Sequence, residues 1–145
     1  MEATELRIGN YFIPPNTGTN ESATVMYLGL KQGIEIFINS HKSSECKPIP
    51  LTEELLLRFG FEENPDFDRL ELYKQINVSE IENRVIYLTF MFDKNHKLLF
   101  KKMECSQERD AGNNDWCDYD ININYVHQLQ NLYFALTGKE LNYTA

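Results

Sequence analysis

The sequence has no long apolar run, which argues against a membrane-spanning helix, and its first residues give no indication of secretion. A membrane-spanning helix needs about 20 consecutive apolar residues, and no stretch of the 145 residues approaches that length. The first residues, Met1–Arg7, are acidic and lack the apolar core of a secretory signal. We therefore expect a cytoplasmic protein that has no membrane partner.

Cysteine, histidine and glycine are too few or too scattered to form a familiar catalytic motif. The three cysteines, Cys46, Cys105 and Cys117, are odd in number and widely spaced, which predicts free thiols rather than a disulfide framework. Cysteines and histidines form no CxxC or HxxxH pair, the spacing typical of structural zinc sites. The sequence also lacks a GxSxG elbow and a glycine-rich phosphate loop. We predict no cofactor and no catalytic residue, which weighs against an enzyme.

Basic residues are scarce and unevenly distributed. The chain has 14 basic and 22 acidic residues and a net charge of −8. Residues 48–83 hold nine acidic and three basic residues, whereas residues 84–109 hold six basic and three acidic ones. Because a negative chain repels a phosphate backbone, nucleic-acid binding is not favoured. Such charges are usually solvated faces; the alternative is an acidic surface that docks a basic partner.

The apolar pattern predicts an α+β protein with a mostly antiparallel sheet, formed as a single domain over residues 1–145. Seven strands are predicted, at 6–13, 23–30, 34–39, 69–75, 85–92, 97–104 and 116–123. Two helices are predicted over about 52–59 and 125–137. Most strands follow one another through short turns, which favours antiparallel pairing. Residues 6–11 also resemble the first strand of an SH3-like small barrel at the N-terminal side, with a bend at Gly9.

Both predicted helices have local start and stop signals. Thr52 is placed to cap the first helix and Gly60 to end it, while Asn124 and Gly138 have the same roles in the second. The second helix has one apolar stripe, formed by Val126, Leu129, Leu132, Tyr133 and Leu136. The neutral polar residues off this stripe are predicted to form its outer face: His127, Gln128, Gln130 and Asn131.

The densest acidic segment contains three carboxylates, Asp115, Asp118 and Asp120. If 116–123 is a strand, alternation places Asp118 and Asp120 on the face of Trp116, with Cys117, Tyr119 and Ile121 pointing inward. Carboxylates that share a face can serve acid–base or divalent-metal chemistry. One alternative function is therefore a small metal-dependent enzyme or metal-binding protein that uses these three residues. The plainer interpretation is the solvated face of a half-buried sheet.

A basic hairpin offers a second alternative. Its lysines are Lys94, Lys97, Lys101 and Lys102. With Phe92 and Phe100 nearby, such a surface can bind single-stranded nucleic acid by stacking and charge. The competing interpretation is that the phenylalanines pack inward and the lysines protect an exposed strand from edge pairing.

Three segments resemble parts of one family in the same order. They are Leu6–Tyr11 (LRIGNY), residues 48–61 (PIPLTEELLLRFGF) and residues 125–141 (YVHQLQNLYFALTGKEL), about a quarter of the chain. The set resembles short proteins of gut Bacteroidetes and their phages and prophages, a family without an assigned activity or catalytic residues. The resemblance implies an intracellular accessory protein of phage or mobile-element origin. Residues 62–124 are unmatched, so a specific role of this chain can reside in that region.

Together these observations predict a non-enzymatic module that binds another protein. The support is the missing catalytic set, the acidic balance and the family resemblance. Such a module is expected to have a contiguous exposed apolar or acidic patch. A large exposed apolar patch would be informative, because soluble proteins rarely have one without a binding role.

Overall fold

The computed structural model describes residues 7–13, 25–31, 34–37, 46–65, 69–79, 84–110 and 113–144. These residues form two helices and two antiparallel sheets, which confirms the predicted α+β class. The chain divides into two compact units, one of residues 1–51 and 124–135 and the other of residues 52–123 and 136–145. The single domain stays a prediction. No helix among the described residues is long and apolar enough to cross a membrane.

The first unit contains a small open sheet of four strands: β1 (Tyr11–Ile13), β2 (Val25–Lys31), β3 (Ile34–Phe37) and β4 (Lys47–Pro48). The strand order is β3-β2-β1-β4, and each pairing is antiparallel. The predicted hairpin of the second and third strands is therefore present. Among the described residues no pairing joins β3 to β4, so the SH3-like barrel is not confirmed and stays a prediction.

The strand predicted over 6–13 is shorter, because residues 7–10 form a tight turn; Leu6 lies outside the described residues. The Asn10 N–H donates to the Arg7 carbonyl at 3.0 Å, and the Arg7 N–H donates to Asn10 Oδ1 at 2.8 Å. Gly9 has a φ of 99°, a conformation that glycine adopts without steric cost. The turn delays the start of pairing to Tyr11.

The second helix, Val126–Thr137, packs with a different face from the one predicted. Val126 and Leu129 are buried as expected, but His127 and Gln130 are also buried. Gln130 Oε1 accepts the Tyr11 N–H at 2.9 Å, and Gln130 Nε2 donates to the Gly9 carbonyl at 3.2 Å. These bonds satisfy a buried amide, so a residue type predicted for the outer face is accommodated in the core.

The helix begins at Val126, two residues after the predicted cap residue Asn124. Gln128 Oε1 accepts the N–H groups of Asn124 (2.9 Å) and Tyr125 (3.3 Å), so a glutamine side chain satisfies donors ahead of the first turn. The helix ends at Thr137, and Gly138 follows with a φ of 69°, as the glycine stop signal predicts.

The second unit is a five-stranded antiparallel meander with one short helix. The helix is Glu53–Arg58, and the strands are β5 (Glu62–Glu63), β6 (Leu70–Ser79), β7 (Arg84–Phe92), β8 (Leu98–Asp110) and β9 (Asn113–Asp120). Their order is β5-β6-β7-β8-β9, so each strand pairs with its neighbour in the chain. This arrangement confirms the predicted succession of hairpins.

The short helix, α1, lies on one face of this sheet and has well-defined ends. Thr52 Oγ1 accepts the Leu55 N–H at 3.3 Å, the predicted N-cap. At the other end Gly60 has a φ of 76°, and the Phe61 N–H donates to the Leu56 carbonyl at 3.0 Å, as in a Schellman motif. Phe61 is then directed into the core, where its ring lies 5.5 Å from that of Phe90.

Lys74 fixes α1 to the sheet. Its Nζ donates to the carbonyls of Phe59 and Gly60, at 3.1 and 3.2 Å, at the negative end of the helix. Burial lowers the pKa of this ammonium. Lys74 alternates along β6 with the buried residues Leu72 and Ile76, which assigns the α1 side of the sheet.

Candidate functional site

The face of the five-stranded sheet opposite α1 is called the open face. Its membership follows from register, because residues that alternate with the core residues point to the other side. Tyr73 is paired with Thr89, Tyr87 with Glu104, and Glu104 with Asp118. The open face includes Glu71, Tyr73, Tyr87, Thr89, Lys102, Glu104, Trp116, Asp118 and Asp120.

A shallow cavity of about 330 Å³ lies on this face. Its lining comes from four strands and from the residue that follows β5: Asn64, Glu71, Tyr73, Tyr87, Thr89, Glu104 and Trp116. Three rings, two carboxylates, an amide and a hydroxyl thus converge on one concave surface. A few polar groups among aromatic side chains are typical of a ligand site.

Three aromatic side chains form a row across the cavity. The Tyr87 ring centroid lies 5.9 Å from that of Trp116, with the planes 29° apart, and 6.2 Å from that of Tyr73. Trp116 is 53% exposed. The row therefore offers an accessible π surface whose rings support one another, at separations usual for aromatic pairs.

Each of the two tyrosine hydroxyls forms a hydrogen bond with a side chain on the adjacent strand. Tyr73 Oη donates to Glu62 Oε2 at 3.3 Å, and Tyr87 Oη donates to Gln75 Oε1 at 3.3 Å. The negative charge of Glu62 raises the pKa of Tyr73. Both rings are thus held in place before any ligand binds, which limits the side-chain entropy lost on binding.

Carboxylates surround a single ammonium beside this row. Lys102 forms an ion pair with Glu104. Burial lowers the pKa of Lys102, but the hydrogen bond and charge of Glu104, with the charges of Asp118 and Glu71, outweigh burial and leave the pKa raised. One cation thus faces three carboxylates, and the surface keeps a negative excess.

Two polar groups lie at the buried side of the cavity. Glu71 is 8% exposed, and its Oε1 accepts from Asn64 Nδ2 at 3.1 Å. Thr89 is 1% exposed and lines the cavity. The cavity therefore has a carboxylate and a hydroxyl-bearing residue at its buried side.

The predicted carboxylate group is only partly brought together. Asp118 and Asp120 lie exposed on the face of Trp116, as alternation predicted. The side chain of Asp115 is outside what the structure describes, although its backbone pairs with Gln107. Among the described residues no three His, Cys, Asp or Glu side chains are arranged to hold a metal ion. The metal-dependent function stays a prediction.

The register places Cys117 and Tyr119 on the α1 side of the sheet, as alternation predicts, but the burial expected for them there is wrong. Both residues are exposed, Tyr119 at 53%. They lie on β9, the last strand of the sheet, whereas α1 contacts β6 near the other edge. The helix is too short to cover both edges, so alternation along β9 does not translate into burial.

The four candidate lysines do not share one surface. Lys94 and Lys97 are exposed between β7 and β8. Lys101 and Lys102 are consecutive in β8 and therefore point to opposite faces. Of the two phenylalanines, Phe92 is buried and Phe100 is 40% exposed, so the predicted inward packing holds for one of them. Nucleic-acid binding through this hairpin also stays a prediction.

Most residues of the cavity were not predicted from the sequence. Of the lining residues, the strand pattern points to Trp116, with Asp118 next to the cavity, but not to Glu71, Tyr73, Tyr87 or Glu104. A local signal is present in β6, where Glu71 and Tyr73 alternate with leucines. Alternation gives the face of each strand, but only the register between strands shows which side chains meet.

Comparison with known proteins finds no family model, no curated protein and no solved structure that matches the chain.

Proposed function

We propose that the protein is a non-enzymatic interaction module whose open face binds a positively charged segment of another protein. The observation that carries this proposal is the aromatic row of Tyr73, Tyr87 and Trp116 beside an excess of carboxylates. Aromatic faces and carboxylates both attract cations, and few other ligand classes are favoured by both. The cellular context in the proposal is a cytoplasmic accessory protein of phage or mobile-element origin.

The chemistry favours arginine and lysine side chains as the recognised groups. A cation over a tryptophan or tyrosine ring contributes about 0.5–1 kcal/mol when exposed and about 2 kcal/mol when desolvated. Trp116 offers that ring at the rim of the cavity, and Glu104 and Asp118 lie on adjacent strands beside it. Tryptophan, tyrosine and arginine are also the residues that most often dominate protein interfaces.

The same surface disfavours nucleic acid. A row of rings can stack on bases, but a phosphate backbone would have to approach Glu71, Glu104 and Asp118 with Lys102 as the adjacent ammonium. Because Lys102 is already paired with Glu104, its charge does little to attract phosphate. Charge therefore selects a basic polypeptide over a nucleic acid.

The single tryptophan of the chain provides a direct assay, since Trp116 lies in the cavity. We expect its emission to change saturably when arginine-rich or lysine-rich peptides are added, and not with acidic peptides of equal length. The binding should weaken as salt is raised, because exposed charges are screened.

Two charge variants give opposite expectations on the open face. Glu104→Gln should weaken binding of a basic peptide and Lys102→Met should strengthen it, each by about twofold to fivefold, the range of an exposed ion pair. Matched controls are Glu63→Gln, at a residue that its pairing with Leu72 places on the α1 side of the sheet, and Lys97→Met, between β7 and β8; both make the same charge changes at exposed residues outside the cavity lining. Absence of binding at low salt would overturn the proposal, as would equal effects of the open-face and control variants.

A further inference from the structure

The outer edge of β9 carries backbone groups directed away from the sheet. The Ile121 N–H donates to the Lys101 carbonyl at 3.3 Å, so these opposite residues form a hydrogen-bonded pair in the β8–β9 register. Such pairs alternate along an antiparallel ladder. Cys117 and Tyr119 therefore bond to β8, whereas Trp116, Asp118 and Asp120 direct their N–H and C=O groups outward.

The same three residues point their side chains onto the open face. Trp116, Asp118 and Asp120 are thus joined by two properties: outward backbone groups and side chains on the aromatic and acidic surface. β9 ends the strand order, and within the described residues no strand pairs with its outer side. A long edge strand is a template for pairing with another chain.

We infer that the basic segment binds as an additional β-strand along the outer edge of β9, with arginine or lysine at every second position. This inference rests on the proposed function and specifies the form of the partner. Alternate residues of a strand point to one face, so basic side chains at that spacing lie beside Trp116, Asp118 and Asp120. The intervening residues of the partner face the other side and carry no charge requirement.

A basic side chain on a strand added beside β9 is long enough to contact the part of the open face formed by β8 and β9. Neighbouring strands lie about 4.8 Å apart, so an added strand brings an arginine within reach of Trp116 on β9 and of Glu104 on β8. A guanidinium has donors in a planar fork, which suits a carboxylate and an adjacent ring at once. Arginine is therefore the preferred anchor.

Charge decides between a foreign strand and a second copy of this chain. Pairing two β9 strands edge to edge would bring the acidic residues of both copies together, and like charges on facing strands destabilise a sheet. A basic segment instead meets opposite charge at each alternate position. The edge is thus matched to a foreign basic strand rather than to itself.

One pair of variants separates backbone pairing from charge. Asp118→Ala and Asp118→Pro both remove the carboxylate, but only proline removes the outward N–H. Because that N–H does not bond to β8, proline is tolerated at this edge position. We expect Asp118→Pro to bind an alternating arginine–threonine octapeptide about twofold to tenfold more weakly than Asp118→Ala, the range of one lost hydrogen bond. Circular dichroism checks that both variants fold.

Amide hydrogen exchange in the unmodified protein gives an independent test. With the same peptide bound, the N–H groups of Trp116, Asp118 and Asp120 should exchange more slowly. The N–H groups of Cys117 and Tyr119, already bonded to β8, should change little. A peptide of equal composition with its arginines in one block should bind more weakly than the alternating one.

The outcomes distinguish this inference from the function on which it rests. If basic peptides change Trp116 emission but the outward amides are not protected and the two Asp118 variants bind equally, strand addition is wrong and the proposed function stands. If no basic peptide binds, both fail. A concentration-dependent dimer that Asp118→Pro abolishes would assign the edge to a second copy and overturn the inference.

Discussion

The buried side chain of Gln130 should be among the most sensitive positions in the first unit. It is completely buried, accepts the Tyr11 N–H at 2.9 Å and donates to the Gly9 carbonyl at 3.2 Å. Both bonds join the second helix to the segment that leads into β1. Substitution by alanine removes both and leaves a void where the amide lay.

The expected cost follows from the two backbone groups that lose this partner. A buried polar group whose partner is removed costs about 1–3 kcal/mol. Gly9 and Tyr11 are only half-buried, so water can reach them in part and the lower half of that range applies. Gln130→Ala should therefore lower the free energy of unfolding by about 2–4 kcal/mol, a large share of the roughly 5–15 kcal/mol typical of a domain.

Glutamate at the same position adds a pH signature. Gln130→Glu keeps an acceptor for Tyr11, but an ionised carboxylate would face the Gly9 carbonyl in a buried site. Burial and that carbonyl favour the protonated form, so the pKa in the folded state should exceed the ordinary value of about 4.3. The stabilisation from this group is then present below about pH 4.3 and is lost as pH rises through the folded-state pKa.

Urea unfolding followed by circular dichroism at several pH values measures both effects. Gln128→Ala is the matched control, because Gln128 lies on the same helix and bonds to N–H groups at its exposed start. That change should cost about 1 kcal/mol, as for other helix caps. Equal costs for Gln130→Ala and Gln128→Ala would refute the reasoning, as would a pH-independent cost for Gln130→Glu.

Other predictions concern the second unit. Gly60→Ala should destabilise by about 1–2 kcal/mol in thermal unfolding, because φ is 76° and the new Cβ would lie 3.1 Å from a lysine ammonium. A thiol reagent should label exposed Cys117 before Cys105, whose pKa is raised by burial; the reverse order by mass spectrometry would contradict this. The backbone N–H of Lys97 lowers the pKa of Asp93, so the stability advantage over Asp93→Asn should be present above pH 3.8 and vanish as pH falls through the folded-state pKa; an advantage that persists in strong acid would contradict it.

Local signals in the sequence predicted the helix and four of the five strands of the second unit, although β5 was not predicted and β8 extends to Asp110 rather than ending at residue 104. Thr52 and Gly60 mark the two ends of α1, and they are recognisable in the sequence because caps act within one turn. The succession of hairpins follows from the short connections between strands. The burial of Gln130 could not be foreseen in the same way. Its partners lie 119 and 121 positions away, so the helix pattern alone assigned it to solvent.

The candidate site shows the same division. Alternation along β9 is a property of one strand, and it correctly predicts that Trp116 and Asp118 share a face. Their neighbours Tyr87 and Glu104 come from other strands, and the register that brings them together is fixed by pairing across the whole meander. Alternation along one strand shows which face of the sheet a side chain is on. Which side chains meet in a cavity depends on the pairing register between several strands.

The three segments that carry the family resemblance and the candidate site have separate structural roles. Residues of the first segment contact the second helix, as in the 3.0 Å bond from Asn10 Nδ2 to Asn131 Oδ1 and the Arg7 guanidinium 4.0 Å from the Phe134 ring. Those contacts support the first unit. The residues that carry the proposed binding surface lie within 62–124, the region that the resemblance left unmatched.

The ion pair of Lys102 with Glu104 means that the open face already contains its own counter-ion. A basic side chain that binds Glu104 has to displace the Lys102 ammonium, because this carboxylate is already paired. Binding then releases fewer salt ions than the number of carboxylates suggests, and its dependence on ionic strength should be correspondingly shallow. Lys102 already supplies a positive charge at Glu104. The open face is therefore suited to discriminate among cations by their shape and by their contact with the aromatic rings.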